Sequence, residues 1–210
     1  MQIQKLYSLF LESSGISTDT RTLKKRALFF ALKGENFNGN LFAEKALNLG
    51  ATAIVVDDAN LKSLGSNVVF VQNTLITLQK LAAYHRKQLN TPIIGLTGSN
   101  GKTTTKELIR EVLAKKYMVL ATKGNLNNHI GVPLTLLELK KEHEIAVIEM
   151  GANHIGEIKM LCEIVLPNWG YITNFGKAHL EGFGGLEGVI QGKSELYQHL
   201  MKRHQKILIN

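Results

Sequence analysis

The chain has 210 residues, room for one large domain or two small ones with cores of their own. With 44% hydrophobic and 20% charged residues its composition is globular, which excludes broad disorder, and its single cysteine excludes a disulfide framework within the chain. A net charge of +8 suits anionic ligands such as nucleotides, but the lysines are scattered and lack interleaved aromatics, so nucleic acid is not expected as a partner.

In chain order, Ala27-Leu28-Phe29-Phe30-Ala31-Leu32 predicts a strand, Gly34-Glu35-Asn36 a polar turn, Leu41 to Leu49 a helix and Ala53-Ile54-Val55-Val56 a second strand. Val68-Val69-Phe70-Val71 predicts a third strand. Leu75, Leu78, Leu81 and Ala82 then repeat at helical spacing between about Thr74 and Leu89. Asn90-Thr91-Pro92 ends that helix, because proline disfavours helical backbone in the residue before it, and a domain boundary is placed there, between residues 1–90 and 91–210. Beyond it come the strand Pro92 to Leu96 and a helix from Lys102 to Lys115 with apolar residues at Leu108, Ile109, Val112 and Leu113. A short strand near Met118 to Ala121, a helix near Leu134 to Leu139 and the strand Ile145 to Ile148 follow. The series continues with a helix over Glu157 to Val165, the strand Tyr171 to Thr173, a helix over Leu186 to Leu200 and the strand Lys206 to Ile209. Such alternation predicts an α/β fold, a small N-terminal α/β domain followed by a parallel-sheet domain with helices on its faces. No apolar run is long enough to span a bilayer. The opening Met1-Gln2-Ile3-Gln4-Lys5-Leu6 lacks the layout of a signal peptide, so a cytoplasmic location is expected.

Gly95-Leu96-Thr97-Gly98-Ser99-Asn100-Gly101-Lys102-Thr103-Thr104, between a strand and a helix, reads as a phosphate cradle of the P-loop type. Glycines let backbone N–H groups converge on phosphate oxygens, the helix start adds positive partial charge, Lys102 adds a full charge, and the Thr103 hydroxyl can join a Mg²⁺ shell. The usual spacing would put a glycine at Leu96, where this chain has none. Open parallel sheets bind ligands beyond the C-terminal ends of their strands, and those positions are rich here. Glu149, Gly151, Ala152, Asn153 and His154 follow one strand; Asn174, Lys177, His179 and Glu181 follow another. Glu149 is either a Mg²⁺ ligand beside the cradle or a solvated strand-end carboxylate, and His179 either a second ligand or a structural histidine. Cys162, among Met160, Leu161, Ile164 and Val165, reads as a buried reduced thiol, while His85, His143, His199 and His204 read as solvent-facing.

Together these segments resemble the Mur ligase family over essentially the whole chain. Ser17-Thr18-Asp19-Thr20-Arg21 and Leu28-Phe29-Phe30-Ala31-Leu32-Lys33-Gly34 are similar to a uridine-nucleotide-binding entry of that family. Thr97-Gly98-Ser99-Asn100-Gly101-Lys102-Thr103-Thr104 is the family's own cradle, which accounts for Leu96. Gly124-Asn125-Leu126-Asn127-Asn128-His129, Glu149-Met150-Gly151-Ala152-Asn153-His154 and Ala178-His179-Leu180-Glu181-Gly182-Phe183-Gly184 look like the member that adds a terminal dipeptide. Asn38-Gly39-Asn40 departs from the Asp-Gly-His of many relatives, near the uridine end.

The resemblance implies ATP-dependent amide formation through an acyl phosphate, joining UDP-N-acetylmuramoyl-tripeptide to D-Ala-D-Ala in peptidoglycan precursor synthesis. It implies Gly98, Ser99, Asn100, Gly101, Lys102, Thr103 and Thr104 around the phosphates, and Lys102, Glu149, His179 and Lys193 as the catalytic set. Thr103 and Glu149 would hold one Mg²⁺, with His179 and Lys193 at a second. Lys193 is carbamylated in many members and unmodified in others. Thr20 and Arg21 would contact the uridine nucleotide, and Asn127 and Asn128 the muramoyl peptide. A monomer is implied for the full-length protein. Family members run to about twice this length, so a C-terminal domain that closes over the site is expected to be absent here and this piece alone to turn over little. Two other readings stay open: another ligase of the superfamily, such as a third-residue-adding ligase or a folylpolyglutamate synthase, and a non-catalytic nucleotide-binding module.

Overall fold

The computed structural model describes residues 2–209, which form two compact units dividing between His85 and Arg86. The first contains α1 (Ile3–Glu12), β1 (Ile16–Ser17), β2 (Leu28–Phe30), the hairpin β3 (Lys33–Gly34) and β4 (Phe37–Asn38), α2 (Ala43–Asn48), β5 (Ala53–Val56), β6 (Val68–Phe70) and most of α3 (Thr74–Gln88). Its sheet has the order β1-β2-β5-β6, every pair parallel. Phe29, Ala31, Ile54 and Val56 pack with Ala43 and Ala46 of α2 to form its core.

Two features of this unit differ from expectation. The helix expected over Leu41 to Leu49 splits into a 3₁₀ turn, Gly39–Phe42, and α2. The Gly39 N–H donates to the Leu32 carbonyl at 2.8 Å and Asn38 Oδ1 accepts from the Asn40 N–H, which tightens the entry and leaves Leu41 79% exposed. Helix α1 was not expected, because it has neither a side-chain cap nor an acidic first turn; only the spacing of Leu6 and Phe10, both buried, signals it. That helix corrects the reading of His85 as solvent-facing. The ring is buried, with Tyr7 Oη 3.1 Å from Nδ1 and Phe10 against it edge-on.

The second unit contains β7 (Ile93–Thr97), α4 (Lys102–Leu113), β8 (Val119–Ala121), α5 (Gly131–Leu137), β9 (Ile145–Glu149), α6 (Glu157–Val165), β10 (Trp169–Ile172), α7 (Leu180–Phe183), α8 (Leu186–Lys202) and β11 (Lys206–Leu208). Its five strands run parallel in the order β11-β10-β7-β9-β8, so the cradle follows the central strand. Helix α4 packs on β8 and β9, and α6 and α8 pack on each other. The face that α4 buries takes only half of the expected apolar stripe: Ile109 and Leu113 are partly buried on the side of Lys106. Leu108 and Val112 are 64% and 72% exposed, whereas Lys106 is fully buried, its Nζ donating to the Thr122 carbonyl at 2.6 Å and pairing with Glu107 at 3.0 Å.

The units divide a little before the Asn90-Thr91-Pro92 break, for a visible reason. The buried Arg86 guanidinium donates to the carbonyls of Val165, Leu166 and Leu89 and to Asn168 Oδ1, which ties the end of α3 into the second unit. Among the described residues no helix is long and apolar enough to cross a membrane.

Candidate active site

Register positions the site. Leu96 of β7 lies opposite Glu149 of β9 on one side and Tyr171 of β10 on the other, so the residues after all three strands emerge at one level. Leu96 is itself fully buried in the sheet, which leaves the cradle to begin only after Thr97. Gly101, at φ 75°, caps α4 in the left-handed region that glycine tolerates best. Lys102 Nζ folds back onto its own loop, donating to the carbonyls of Gly98 at 2.9 Å and Ser99 at 3.2 Å. Burial lowers the Lys102 pKa, against the pull of Glu149.

Glu149 is 1% exposed and not a solvated strand end. Its N–H donates to Thr122 Oγ1 at 2.9 Å, and its Oε1 accepts from Asn127 Nδ2 at 2.8 Å and Thr103 Oγ1 at 3.4 Å. Its Oε2 is buried without a hydrogen-bond partner. A buried orphaned carboxylate oxygen is costly, and it points to a ligand that completes it.

Lys102, Asn127, Asn128 and His179 line one cavity of about 350 Å³, together with Asn125, His129, Gly151, Ala152, Asn153 and Glu157. His179 enters from the loop before α7 at φ 54°. Lys193 of α8 is 2% exposed, and its Nζ donates to the Ala152 carbonyl at 3.1 Å and sits over the Phe183 ring. Burial first, then the nearby Lys102 charge, lower its pKa to about 8, with Glu157 and Glu195 pulling the other way. A lysine at about 8 keeps a substantial neutral fraction near neutral pH.

The adjacent asparagines differ in geometry. Asn127 reaches Glu149, whereas Asn128 Oδ1 accepts the N–H groups of Ile130 and Gly131 at the start of α5. Helix α5 accordingly begins at Gly131, earlier than the apolar pattern suggested, with Asn128 holding the turn that leads into it. In the first unit Thr20 is buried, and exposed Arg21 pairs with Asp19 at 2.6 Å, holding that carboxyl at about 2.

Sequence reasoning missed the carboxylates that support this loop layer. Glu195 Oε1 and Oε2 accept the Gly156 and Lys159 N–H groups at 2.6 and 2.8 Å, capping α6 from a neighbouring helix. Glu157 Oε2 accepts from the N–H groups of Asn153 and His154. Burial opposes ionisation of Glu157, but those bonds and His154 hold its carboxyl below the usual range. Glu157 opens a helix and was open to that reading; Glu195 and Lys106 carry no local signal.

Comparison with known proteins gives a consistent family. Residues 96–210 match the Mur ligase middle domain and residues 12–89 the Mur ligase family catalytic domain. The chain is similar to the UDP-N-acetylmuramoyl-tripeptide--D-alanyl-D-alanine ligase of Haemophilus influenzae, 46% identical over 197 residues, covering 92% of this chain and 43% of that protein. The ligase of the same name from Bacillus subtilis is 44% identical over 187 residues, covering 89% and 41%. Among solved structures, MurF from Acinetobacter baumannii superposes with a TM-score of 0.83 at 39% identity, covering 94% of this chain and 46% of that one. MurF ligase from Thermotoga maritima in complex with ADP gives 0.83 at 32% identity, covering 95% and 50%. The chain thus spans less than half the length of the curated relatives it matches.

Proposed function

The chain belongs to the Mur ligase family, and from that premise we propose that it forms part of an ATP-dependent ligase joining D-Ala-D-Ala to UDP-N-acetylmuramoyl-tripeptide. The observation that carries the reading is the buried, half-satisfied Glu149 carboxylate, hydrogen-bonded to the first helical threonine of a phosphate cradle. In this reading residues 1–90 take the uridine nucleotide, through Thr20 and Arg21, and residues 91–210 take ATP. Among relatives of the superfamily, the names of the most similar proteins favour the dipeptide-adding reaction.

A carboxylate is a poor acylating agent, so the γ-phosphoryl group of ATP passes to the terminal carboxylate of the tripeptide: a carboxylate oxygen bonds to the γ-phosphorus, the bond from that phosphorus to the β-phosphate oxygen breaks, and ADP leaves. The amine of D-Ala-D-Ala then attacks the acyl phosphate, phosphate leaves, and the amine proton is lost. Transfer between anions needs positioning and charge neutralisation more than covalent help. Lys102 leaves its resting contacts with the Gly98 and Ser99 carbonyls to meet the β- and γ-phosphates, and the first-turn N–H groups of α4 face the same anions.

The residues fit Mg²⁺. The donors are hard oxygens, Glu149 Oε2 lacks any other partner, and Mg²⁺ ordinarily takes one or two carboxylates with phosphate and water oxygens. Among the described residues no ready-made cluster of three His, Cys, Asp or Glu exists, in keeping with an ion that arrives with the nucleotide. Thr103 and Glu149 would hold it, and it would supply charge neutralisation for phosphate oxygens. His179, on the cavity wall, and Lys193 would serve a second ion. For Lys193 this requires its neutral amine to add to CO₂, forming an N–C bond and releasing a proton, which converts a cation into an anionic oxygen ligand. Its lowered pKa favours that addition.

Calorimetric titration of the chain with Mg²⁺-ATP and with UDP-N-acetylmuramoyl-tripeptide tests the proposal. The expected result is binding of both, with ATP binding lost in Lys102→Ala and the UDP-substrate retained. ATP binding without the UDP-substrate would overturn the assignment and leave a nucleotide-binding module.

A further inference from the structure

The tip of the cradle is not free to shape itself around a phosphate. The Asn100 N–H donates to Asn174 Oδ1 at 3.1 Å, and Asn174 Nδ2 returns a bond to the Asn100 carbonyl at 3.1 Å, so one side-chain amide reads both edges of one residue's backbone. Thr173 Oγ1 donates to the same carbonyl at 2.6 Å. The Ser99 N–H donates to the Asn174 carbonyl at 3.1 Å, and Ser99 Oγ to the Gly176 carbonyl at 2.9 Å. All of these partners lie in the segment between β10 and α7 that leads to His179. A Cβ at Gly98 would lie 2.0 Å from Thr173 Oγ1, so glycine at that position is what lets this segment lie against the cradle.

We infer that Asn174 is a positioning residue for phosphate binding, which fixes the cradle tip and ties its order to the segment carrying His179. The inference rests on the nucleotide-binding reading above. With the Ser99 and Asn100 N–H groups committed to residue 174, the backbone donors left to face a phosphate include those of Gly101 and the first turn of α4. Asn174 therefore acts through Asn100 and makes no contact with the nucleotide. Loss of its side chain frees the Asn100 N–H, while the Ser99 N–H keeps its bond to the backbone carbonyl of residue 174; the tip loosens at Asn100, and binding must then supply the entropy of ordering it.

The test uses Asn174→Ala and Thr173→Val, each with hydrogen exchange of the segment 97–104 and calorimetry with Mg²⁺-ATP and with adenosine. Both variants are expected to keep the melting temperature of the wild type to within a few degrees. Exchange should rise at 98–101 and stay unchanged in β7 and the body of α4. Because Asn174→Ala deletes two side-chain hydrogen bonds, ATP affinity should fall roughly tenfold or more, with adenosine affinity unchanged. Thr173→Val should give a smaller change of the same kind. Equal losses for ATP and adenosine, or unchanged exchange at 98–101, would overturn the inference alone. No ATP binding by the wild-type chain would overturn the nucleotide reading and the inference with it. Should Asn174→Ala not fold, Thr173→Val with unchanged exchange and ATP affinity overturns the inference by itself.

Discussion

Lys193→Met should make the second unit more stable at neutral pH and less stable in strong alkali. In the folded chain Lys193 titrates at about 8 against an ordinary 10.5, so the folded state binds its proton more weakly than the unfolded state does. Below about pH 8 the mismatch costs the fold roughly 3 kcal/mol, and the cost disappears as pH rises from about 8 to about 10.5. The hydrogen bond to the Ala152 carbonyl returns about 1 kcal/mol whether or not the amine is charged. Lys193→Met removes both, for a net gain of about 2 kcal/mol at pH 7 that vanishes near pH 10 and then reverses. The single tryptophan, Trp169, lies in β10, so its fluorescence during urea unfolding reports on this unit. Measurements in CO₂-free buffer keep carbamate chemistry out. A difference between wild type and variant that is flat from about pH 7 to about pH 10.5, or a wild type that is the more stable at pH 7, would refute the argument.

Other outcomes follow from the same geometry. With ¹³C-bicarbonate, wild-type chain should show a carbamate carbon resonance in NMR that Lys193→Met lacks. Glu195→Ala orphans the N–H groups of Gly156 and Lys159 and should cost about 2 kcal/mol in urea unfolding followed at Trp169. In the first unit, Asp57 accepts from Lys33 and Asn40 at 2.8 Å each, and although burial opposes its ionisation these partners hold its pKa below the ordinary value. Asp57→Ala should cost about 1 to 2 kcal/mol at neutral pH, and calorimetric melting should show the difference shrink as acid protonates the wild-type carboxyl. Asn127→Ala removes a donor from Glu149, and Mg²⁺-ATP titrations should show a loss of affinity that adenosine binding does not share.

The parallel sheets were legible because their strands are buried on both faces and read as apolar runs bounded by polar turns. β5 and α6 fall where the pattern places them, and the cradle sits at the end of the central strand. Less legible was everything decided by contacts between segments distant in sequence. Helix α1 has no start signal, and the burial of Phe10 gains meaning from the α3 ring it packs against. Helix α4 shows an apolar stripe in sequence, but its buried anchor is Lys106, whose value depends on the Thr122 carbonyl. Lys102 stood out from the cradle and Glu149 and His179 from their places after strands, whereas Lys193 was named only through the family resemblance. How they are held was not legible.

The glycines show why. In a cradle, glycine suggests room for a phosphate, yet two of the glycines here make room for side chains of neighbouring loops. Gly98 admits Thr173, and a Cβ at Gly151 would lie 2.9 Å from Asn127 Oδ1. The second contact brings the Asn127 amide to Glu149, while the Gly151 N–H donates to the Asn127 carbonyl at 2.7 Å. The loops after β7, β8, β9 and β10 are therefore interlocked by side-chain and backbone bonds before any ligand arrives. Preorganisation of this kind puts the cost of ordering into folding and not into binding, which suits the proposed role of holding several anions at fixed separation. Leu96 is committed to the core of the sheet, and the close approach of Thr173 falls two residues later, at Gly98.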